Sequence, residues 1–354
     1  MTKLLLNTLD KNIEKSELNS NPVWIMRQAG RYLPEYRELR AKARDFMDLA
    51  NNSELASEIT LQPIRRFEQL DAAILFADIL HIPYALNESV EFKAGVGPIL
   101  STIKTSQDIS RLKDNLESDE FHNKLSGVYG TIKTVNSQLQ KDKTFIGFCG
   151  APWTVATYML EGQGSKDYRH AKQMMYNNSS DFEDLIETLV KASVKYLSKQ
   201  IESGVQVVKI FDSWAGVLTD DQVRKYSFEP MLKIASQVKA KHPNTPVILL
   251  PKGVQNHLLK ELAEKYNEMF DCLALGQTTN QQWAADNLQQ HICLQGNLDP
   301  ALMICDKNKV YDETAKMVEI FKHGKYIANL GHGVTPDTKI ENVQAFLNSV
   351  KENS

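Results

Sequence analysis

Short apolar runs, many of them rich in β-branched residues, alternate with amphipathic stretches along most of the chain. Eight such runs stand out, and none shows the polar/apolar alternation of a strand with one solvated face. They therefore predict strands of a parallel sheet that is covered on both faces. The predicted strands are 23–26, 72–76, 145–148, 205–211, 247–250, 272–275, 292–294 and 326–330.

Helical periodicity fills most of the intervals between these runs. The stretch 181–203 repeats apolar residues at helical spacing and stops before Gly204, a residue that favours helix C-termini. A second helix is predicted over 54–67, with a cap at one of three polar residues, Asn51, Asn52 or Ser53. The polar, helix-rich residues 101–144 predict an excursion between the second and third strands.

The count of strand–helix units predicts the fold class. Eight units over this length are typical of an α/β (β/α)8 TIM-type barrel. A doubly wound open sheet is the alternative, but no strand is followed by G-x-G-x-x-G or a P-loop. No repeat or linker divides the chain, so we predict a single domain over residues 1–354, with 1–20 and 349–354 peripheral.

Composition and charge narrow the classes of partner. A hydrophobic content of 42% and a charged content of 24% are typical of a globular protein. The net charge of −3 offers no general attraction for nucleic acid or anionic lipid, so any anion site must be local. No apolar run reaches the roughly 18–20 residues of a membrane span. We therefore expect a cytoplasmic protein with no membrane or nucleic-acid partner.

The cysteines predict neither disulfides nor a metal centre. Cys149, Cys272, Cys293 and Cys305 lack CxxC spacing, so we expect buried free thiols in a reducing compartment. His291, Cys293 and Cys305 are the residues that could supply ligands for zinc. Zinc needs three or four converging ligands, whereas the run containing Cys293 has the character of a buried strand. We expect no metal.

The segment 22–37 carries the strongest chemical signal in the chain. Its apolar run ends abruptly at Arg27, and Gly30 follows shortly. Further arginines come in quick succession: Arg31, Arg37, Arg40 and Arg44. Arginine stays charged and its planar fork matches carboxylate or phosphate, so the segment predicts a pocket for a polyanion. Arg27 could instead be half of an ordinary ion pair.

The other strand ends are also polar or rich in glycine, and barrel enzymes hold their chemistry there. Asp78, Tyr158, Ser213, Lys252 and His332 follow the second, third, fourth, fifth and eighth predicted strands. Some have structural alternatives: Asp78 as a turn cap, Tyr158 as a core residue, Ser213 as a helix cap. The glycines on either side of His332 permit close approach and favour a site role.

Two long segments resemble a known family. PVWIMRQAGRYLPEYR at 22–37 and GFCGAPWTVATYMLEG at 147–162 are similar to the two signature segments of the uroporphyrinogen decarboxylase family. Stretches near 61–80, 294–300 and 326–333 resemble the family in the same order. The resemblance implies a (β/α)8 barrel, usually a homodimer, that works without metal or organic cofactor. It further implies conversion of uroporphyrinogen III to coproporphyrinogen III, with release of four CO2, in haem biosynthesis.

The resemblance also implies roles for individual residues. Asp78 and Arg27 would be the catalytic residues, with Asp78 facing the pyrrole N–H groups and stabilising positive charge on the ring. Substrate binding would fall to Arg27, Gln28, Ala29, Gly30, Arg31, Asp78, Tyr158, Ser213 and His332.

Two alternatives and one departure from the family pattern remain. The alternatives are a zinc-dependent barrel methyltransferase of the same superfamily and a non-catalytic tetrapyrrole-binding protein. After the sixth strand, family members commonly carry an Asp-Trp pair, but this chain has Gly276 and Gln277. The contribution of this strand end to the pocket is therefore open.

Overall fold

The computed structural model describes residues 3–93 and 95–354. The helices within them are α1 (Leu4–Leu9), α2 (Pro34–Arg40), α3 (Phe46–Asn51), α4 (Ser53–Arg66), α5 (His81–Ala85), α6 (Ser106–Glu117), α7 (Glu120–Lys124), α8 (Ser126–Gln138), α9 (Pro152–Glu161), α10 (Arg169–Asn177), α11 (Ser179–Ser203), α12 (Asp220–Gln222), α13 (Glu229–Lys241), α14 (Asn256–Lys265), α15 (Gln281–Asn287), α16 (Lys307–Ile320) and α17 (Ile340–Asn353). Three short 3-10 helices span Lys15–Glu17, Ala215–Val217 and Pro300–Ile304, and a π-helix spans Val223–Phe228.

The strands are β1 (Ala72–Ile74), β2 (Val90–Lys93), β3 (Gly97–Leu100), β4 (Thr144–Gly150), β5 (Val207–Asp212), β6 (Val247–Pro251), β7 (Cys272–Ala274), β8 (Cys293–Gln295) and β9 (Tyr326–Ile327). Seven of them form one curled parallel sheet in the order β1-β4-β5-β6-β7-β8-β9. These seven match seven of the predicted strands, with ends that shift by three residues or fewer. The α/β class is confirmed, and the carboxyl ends of these strands share one edge.

The first predicted strand, 23–26, is not a regular strand of this sheet. It lies between the two sheet edges, where Ala328 N donates to Pro22 O (2.8 Å) and Asp71 N donates to Val23 O (2.8 Å). Val23 forms a single parallel bridge with Ala328. Its own N–H donates to Asp71 Oδ2 (2.8 Å), so a side chain replaces the backbone acceptor that a continuing ladder would need.

The longest helix confirms the clearest helical prediction. α11 covers the predicted 181–203 and ends at Gly204, whose φ of 128° is unfavourable for a residue with a side chain. α4 likewise confirms the predicted 54–67, and its cap is Asn52, which accepts hydrogen bonds from Glu54 N and Leu55 N (both 3.1 Å). Both helices bury an apolar face against the sheet or against neighbouring helices.

The excursion between β1 and β4 contains more than the predicted helices. It holds α5 to α8 and also the antiparallel hairpin β2–β3, which the apolar pattern did not predict. Most hairpin residues are exposed or half-buried, so the sequence has no continuous apolar run that would predict these strands.

Both ends of the chain contain residues that pack against the rest of the fold. Leu5 and Val350 are fully buried. Lys3 Nζ donates to Lys143 O (2.7 Å) and Gln206 Oε1 (2.6 Å), residues that precede β4 and β5. α1 therefore lies at the amino ends of the strands, away from the edge where the candidate site residues gather.

Candidate active site

Arg27 occupies a turn that is held in place by its neighbour. Its φ is 61°, in the left-handed region that residues with a side chain seldom adopt. The buried side chain of Gln28 accepts a hydrogen bond from Ile25 N (3.2 Å) and donates one to Ala72 O (3.1 Å). Gln28 thus joins this turn to β1. Its N–H donates to Ile25 O (3.0 Å) and its carbonyl accepts from Tyr32 Oη (2.8 Å), so neither its side chain nor its N–H is free for the predicted role in substrate binding.

The turn is also joined to the loop after β9. Val334 N donates to Met26 O (3.1 Å), and the side chain of Arg27 lies against the backbone of Gly333. These contacts bring His332 and Arg27 to the same place, although they are 305 positions apart in the sequence.

Asp78 lies in the loop after β1 and is half-buried. Leu80 N donates to Asp78 Oδ1 (2.9 Å), so the predicted turn cap is present. Oδ2 accepts no hydrogen bond from any residue in 3–93 or 95–354 and remains available to a ligand. Burial raises the pKa of Asp78, while the Leu80 N–H, His81 and Arg27 act in the opposite direction.

His81 is a residue of this site that the sequence reasoning missed. It is fully buried, and its Nδ1 lies 3.0 Å from Asp78 N, from which it can accept a hydrogen bond. Burial lowers the pKa of His81, which favours the neutral ring. His81 Nδ1 also lies 2.9 Å from Asp78 O, so either neutral tautomer hydrogen-bonds the backbone of Asp78 and holds it in place. The position of His81 three residues after Asp78 was the available signal.

Tyr158 lies on α9, within reach of the charges of Asp78 and Arg27. It is half-buried, and its ring centroid is 6.4 Å from that of Trp214. Burial is the main cause that raises the pKa of Tyr158, the charge of Asp78 adds to it, and the charge of Arg27 opposes it. The side chains of Arg27, Asp78 and Tyr158 therefore share one electrostatic environment. Tyr158 is therefore not a fully buried core residue, the alternative that the sequence left open. Its ring packs on Trp214 but remains half-buried.

Ser213 follows β5 on a loop that α9 holds. Thr154 Oγ1 donates to Asp212 Oδ1 (2.6 Å) and accepts from Trp214 N (3.2 Å), while Trp153 Nε1 donates to Trp214 O (2.9 Å). Asp212 is fully buried, which raises its pKa to about 6. Ser213 forms no cap for the 3-10 helix that follows, so the helix-cap alternative is wrong.

His332 is neutral in this environment. Its pKa is lowered to about 3, first by burial and then by the positive charges of Lys252, Arg27 and Lys209. A neutral imidazole can offer a hydrogen bond to a ligand without adding a positive charge. The glycines beside it permit the close approach that the sequence indicated.

Lys209 lies inside the sheet, below these strand ends. It is fully buried on β5, with Nζ 5.0 Å from the ring centroid of Trp24 and 4.9 Å from that of Phe211. Burial lowers the pKa of Lys209 to about 7. The sequence reasoning missed this residue, although a lysine within an apolar strand run was a visible signal.

Arg31 lies apart from this group. It is exposed, and its charge acts on the phenol of Tyr36. Two later arginines of the segment stabilise the backbone, because Arg37 Nη1 donates to Arg31 O (2.8 Å) and Arg40 Nη1 donates to Ala43 O (3.1 Å). The structure thus brings Arg27, Asp78, Tyr158 and His332 together and leaves Arg31 on the rim.

The loop between Arg27 and Arg31 presents free backbone donors. Within the described part of the chain, the N–H groups of Ala29 and Gly30 donate to no acceptor. Both residues are half-buried, so a bound anion could accept these hydrogen bonds.

Other surface cavities lie elsewhere. A groove of about 650 Å³ is lined by residues such as Phe228, Leu232 and Tyr266, on the π-helix and the outer helices. A cavity of about 340 Å³ is lined by Gln277, Asn297 and neighbours. Neither is lined by Arg27, Asp78, Tyr158, Ser213 or His332.

The structure shows the surroundings of the four cysteines and of the other residues that could bind a metal. Cys149, Cys272 and Cys293 are buried free thiols as expected, but Cys305 is exposed, because it follows a 3-10 helix at the surface. Within residues 3–93 and 95–354, no three His, Cys, Asp or Glu side chains converge as metal ligands would. In the same residues, no helix has the length and apolar character needed to cross a bilayer.

Comparison with known proteins identifies the family. The family model described as "Uroporphyrinogen decarboxylase (URO-D)" matches residues 7–353. A uroporphyrinogen decarboxylase from Cereibacter sphaeroides is 45% identical over 352 residues, and one from Ruegeria pomeroyi is 46% identical over 352 residues. Each match covers 99% of this chain and 99% of the relative.

Among solved structures, a methyltransferase from Methanosarcina mazei has a TM-score of 0.77 at 19% sequence identity, and the match covers 99% of both chains. That likeness concerns the fold alone. On the family model and these relatives, the chain belongs to the uroporphyrinogen decarboxylase family.

Proposed function

We propose that this chain is a uroporphyrinogen decarboxylase, a carboxy-lyase of tetrapyrrole biosynthesis that converts uroporphyrinogen III to coproporphyrinogen III. Family membership supports the activity. The observation in the structure that carries it is that Asp78, a half-buried carboxylate at the strand ends, lies within reach of the charge of the Arg27 guanidinium. Such a pair suits a substrate with ring N–H donors at its centre and carboxylates at its edge.

The reaction needs an acceptor for electrons. When the bond between an acetate methylene and its carboxyl group breaks, the electron pair can flow into a pyrrole ring that has been protonated on carbon. CO2 then departs, a proton adds to the methylene carbon, and the ring proton is lost. Each turnover of one side chain therefore consumes one proton and yields one methyl group and one CO2.

Asp78 is the group that stabilises the cationic ring in this proposal. Its free Oδ2 would accept hydrogen bonds from pyrrole N–H groups, and its negative charge would oppose the developing positive charge. The flexible macrocycle of a porphyrinogen can direct its N–H groups to one carboxylate. Binding of these donors would lower the pKa of Asp78, which burial raises in the free protein.

The remaining predicted residues have binding roles in this proposal. Arg27 binds a substrate carboxylate at the centre, and Arg31 binds one at the rim. The N–H groups of Ala29 and Gly30 donate to a carboxylate as well. Tyr158, Ser213 and His332 complete the pocket as neutral hydrogen-bonding groups. The backbone of Gln28 belongs to the same turn. In this proposal the reaction uses no organic cofactor.

We also propose that the curled sheet is a closed (β/α)8 barrel within a single domain. Pro22 and Val23 form hydrogen bonds with residues on both edges of the sheet. These bonds support a role for segment 22–26 as the eighth strand position of the barrel. A functional homodimer in the cytoplasm is proposed on the family resemblance alone. Light scattering of the purified protein tests the dimer, because a monomeric mass at assay concentrations would contradict it.

Turnover of uroporphyrinogen III, prepared and held anaerobically, tests the function. We expect coproporphyrinogen, detected by chromatography after oxidation to the porphyrin, with no dependence on added metal. Binding of uroporphyrinogen without product would indicate a non-catalytic tetrapyrrole-binding protein. Absence of turnover together with stoichiometric zinc in the purified protein would favour the methyltransferase alternative.

A further inference from the structure

Lys252 follows β6 at the edge of the sheet that carries the candidate site, and its backbone is held on both sides. Lys252 N donates to Asp212 O (3.0 Å), and Lys252 O accepts from Gly216 N (3.0 Å). Both bonds connect it to the loop that bears Ser213. Its position beside the site is therefore set by the sheet rather than by a mobile loop.

The ammonium group of Lys252 has no partner of its own. Two other partly buried lysines form ion pairs: Lys239 with Asp271 (2.6 Å) and Lys351 with Asp71 (2.8 Å). Lys252 is half-buried, yet its Nζ forms no hydrogen bond or salt bridge with any residue in 3–93 or 95–354. A partly desolvated cation without a counter-ion is unfavourable, which favours a bound anion at this position.

The charges near Lys252 are also positive. Burial lowers the pKa of Lys252, and the charge of Arg27 lowers it further. Lys252 and Arg27 together contribute to keeping His332 neutral. The site thus contains two cations that repel each other, and a carboxylate between or beside them would relieve this repulsion.

The neighbouring strand end supplies no counter-ion to Lys252. Gly276 follows β7, and a Cβ placed on it would lie 3.3 Å from Lys252 Cγ and 3.6 Å from Gly253 N. Residue 276 therefore faces the stem of Lys252 directly, and as glycine it supplies no counter-ion.

We propose that Lys252 is a further substrate-binding residue of this site, whose ammonium binds a carboxylate of the substrate in addition to the one bound by Arg27. The ligand class is a polycarboxylate, which for the proposed function is uroporphyrinogen. The proposal rests on that function for the identity of the substrate, but the excess of unpaired positive charge stands independently. It assigns a role to the end of the fifth predicted strand.

Steady-state kinetics of Lys252→Met and Lys252→Arg with anaerobic uroporphyrinogen III test this role. Loss of one charge-assisted hydrogen bond is expected to raise KM roughly tenfold in Lys252→Met, with kcat nearly unchanged. Lys252→Arg should lie close to the wild type. The KM difference between Lys252→Met and wild type should shrink as salt is raised, because screening weakens the charge interaction.

Lys133→Met is the matched control, because Lys133 is exposed on α8 and its loss changes net charge equally. It should leave KM unchanged. An unaltered KM in Lys252→Met at low salt, in a variant with a wild-type melting curve, would overturn the proposal. If wild-type protein shows no turnover, the proposed function fails, and equilibrium binding of uroporphyrinogen by the same variants decides the role of Lys252 separately.

Discussion

The side chain of Arg27 lies directly on the backbone of Gly333. A Cβ added at residue 333 would come within 2.4 Å of Arg27 Cδ and 2.6 Å of Arg27 Cγ. Residue 333 therefore has to be glycine for Arg27 to keep its place, and the two ends of the chain jointly determine where the guanidinium lies.

Gly333→Ala is predicted to displace Arg27. Overpacking at this contact should lower the free energy of unfolding by about 1–3 kcal/mol and weaken substrate binding, because the guanidinium has to move. Denaturant unfolding and the KM for uroporphyrinogen measure the two effects. Gly164→Ala is the control, because a Cβ at exposed Gly164 meets nothing within 4 Å. Normal KM in a folded Gly333→Ala variant would contradict the positioning role.

Asp78→Asn is predicted to lose turnover and keep the fold. Asn retains the oxygen that accepts the hydrogen bond from Leu80 N, but it removes the negative charge that would face the ring. We expect kcat to fall roughly 100- to 1,000-fold, the usual effect of removing one preorganised electrostatic group. Anaerobic turnover measures this loss. Asp114→Asn, at an exposed position on α6, should leave kcat unchanged. Full activity in Asp78→Asn would contradict the proposed role of the negative charge.

Lys209→Met is predicted to stabilise the protein in a pH-dependent way. The pKa of Lys209 is about 7 in the folded protein, against 10.5 ordinarily, so the unfolded chain binds more protons between these values. The destabilisation by the buried lysine is therefore complete below pH 7 and disappears as the pH rises to 10.5. At neutral pH the variant should gain several kcal/mol, at most ~5, because one pKa unit corresponds to about 1.4 kcal/mol.

Urea unfolding at several pH values measures this difference. The advantage of Lys209→Met over wild type should shrink steadily between pH 7 and pH 10.5. Lys191→Met, at an exposed position on α11, should show no such trend. If the difference in free energy of unfolding between Lys209→Met and wild type is constant across this range, Lys209 affects stability through packing alone.

Thr154→Val is predicted to destabilise the loop that carries Ser213. The substitution removes the hydroxyl that bonds to both Asp212 and Trp214, and it leaves a buried carboxylate oxygen without its partner. The free energy of unfolding should fall by about 1–3 kcal/mol. Thr154→Ser keeps the hydroxyl and should retain most of this stability. A loss in Thr154→Ser with none in Thr154→Val would assign the effect to the methyl group instead.

The positions of the candidate site residues followed largely from the sequence. Arg27, Asp78, Tyr158 and His332 each follow an apolar run, and parallel strands bring their carboxyl ends to one edge. The strand runs themselves were visible because strands covered on both faces are apolar throughout. Local pattern and the order of elements were enough for this, without knowledge of any distant contact.

The tertiary structure alone decided how the arginines and strand ends are used. Arg37 and Arg40 have the same chemistry as Arg27, yet they stabilise local backbone because carbonyl oxygens lie within their reach. The run 23–26 is as apolar as the other strands, but the side chain of Asp71 interrupts its ladder.

Charge states were likewise beyond the sequence. The neutral ring of His332 and the unpaired ammonium of Lys252 depend on burial and on charges brought from other strands. The sequence by itself determined which residues stand at the strand ends. Only the tertiary structure decided their partners and protonation, because desolvation and Coulomb interactions depend on distance in space rather than on separation along the chain.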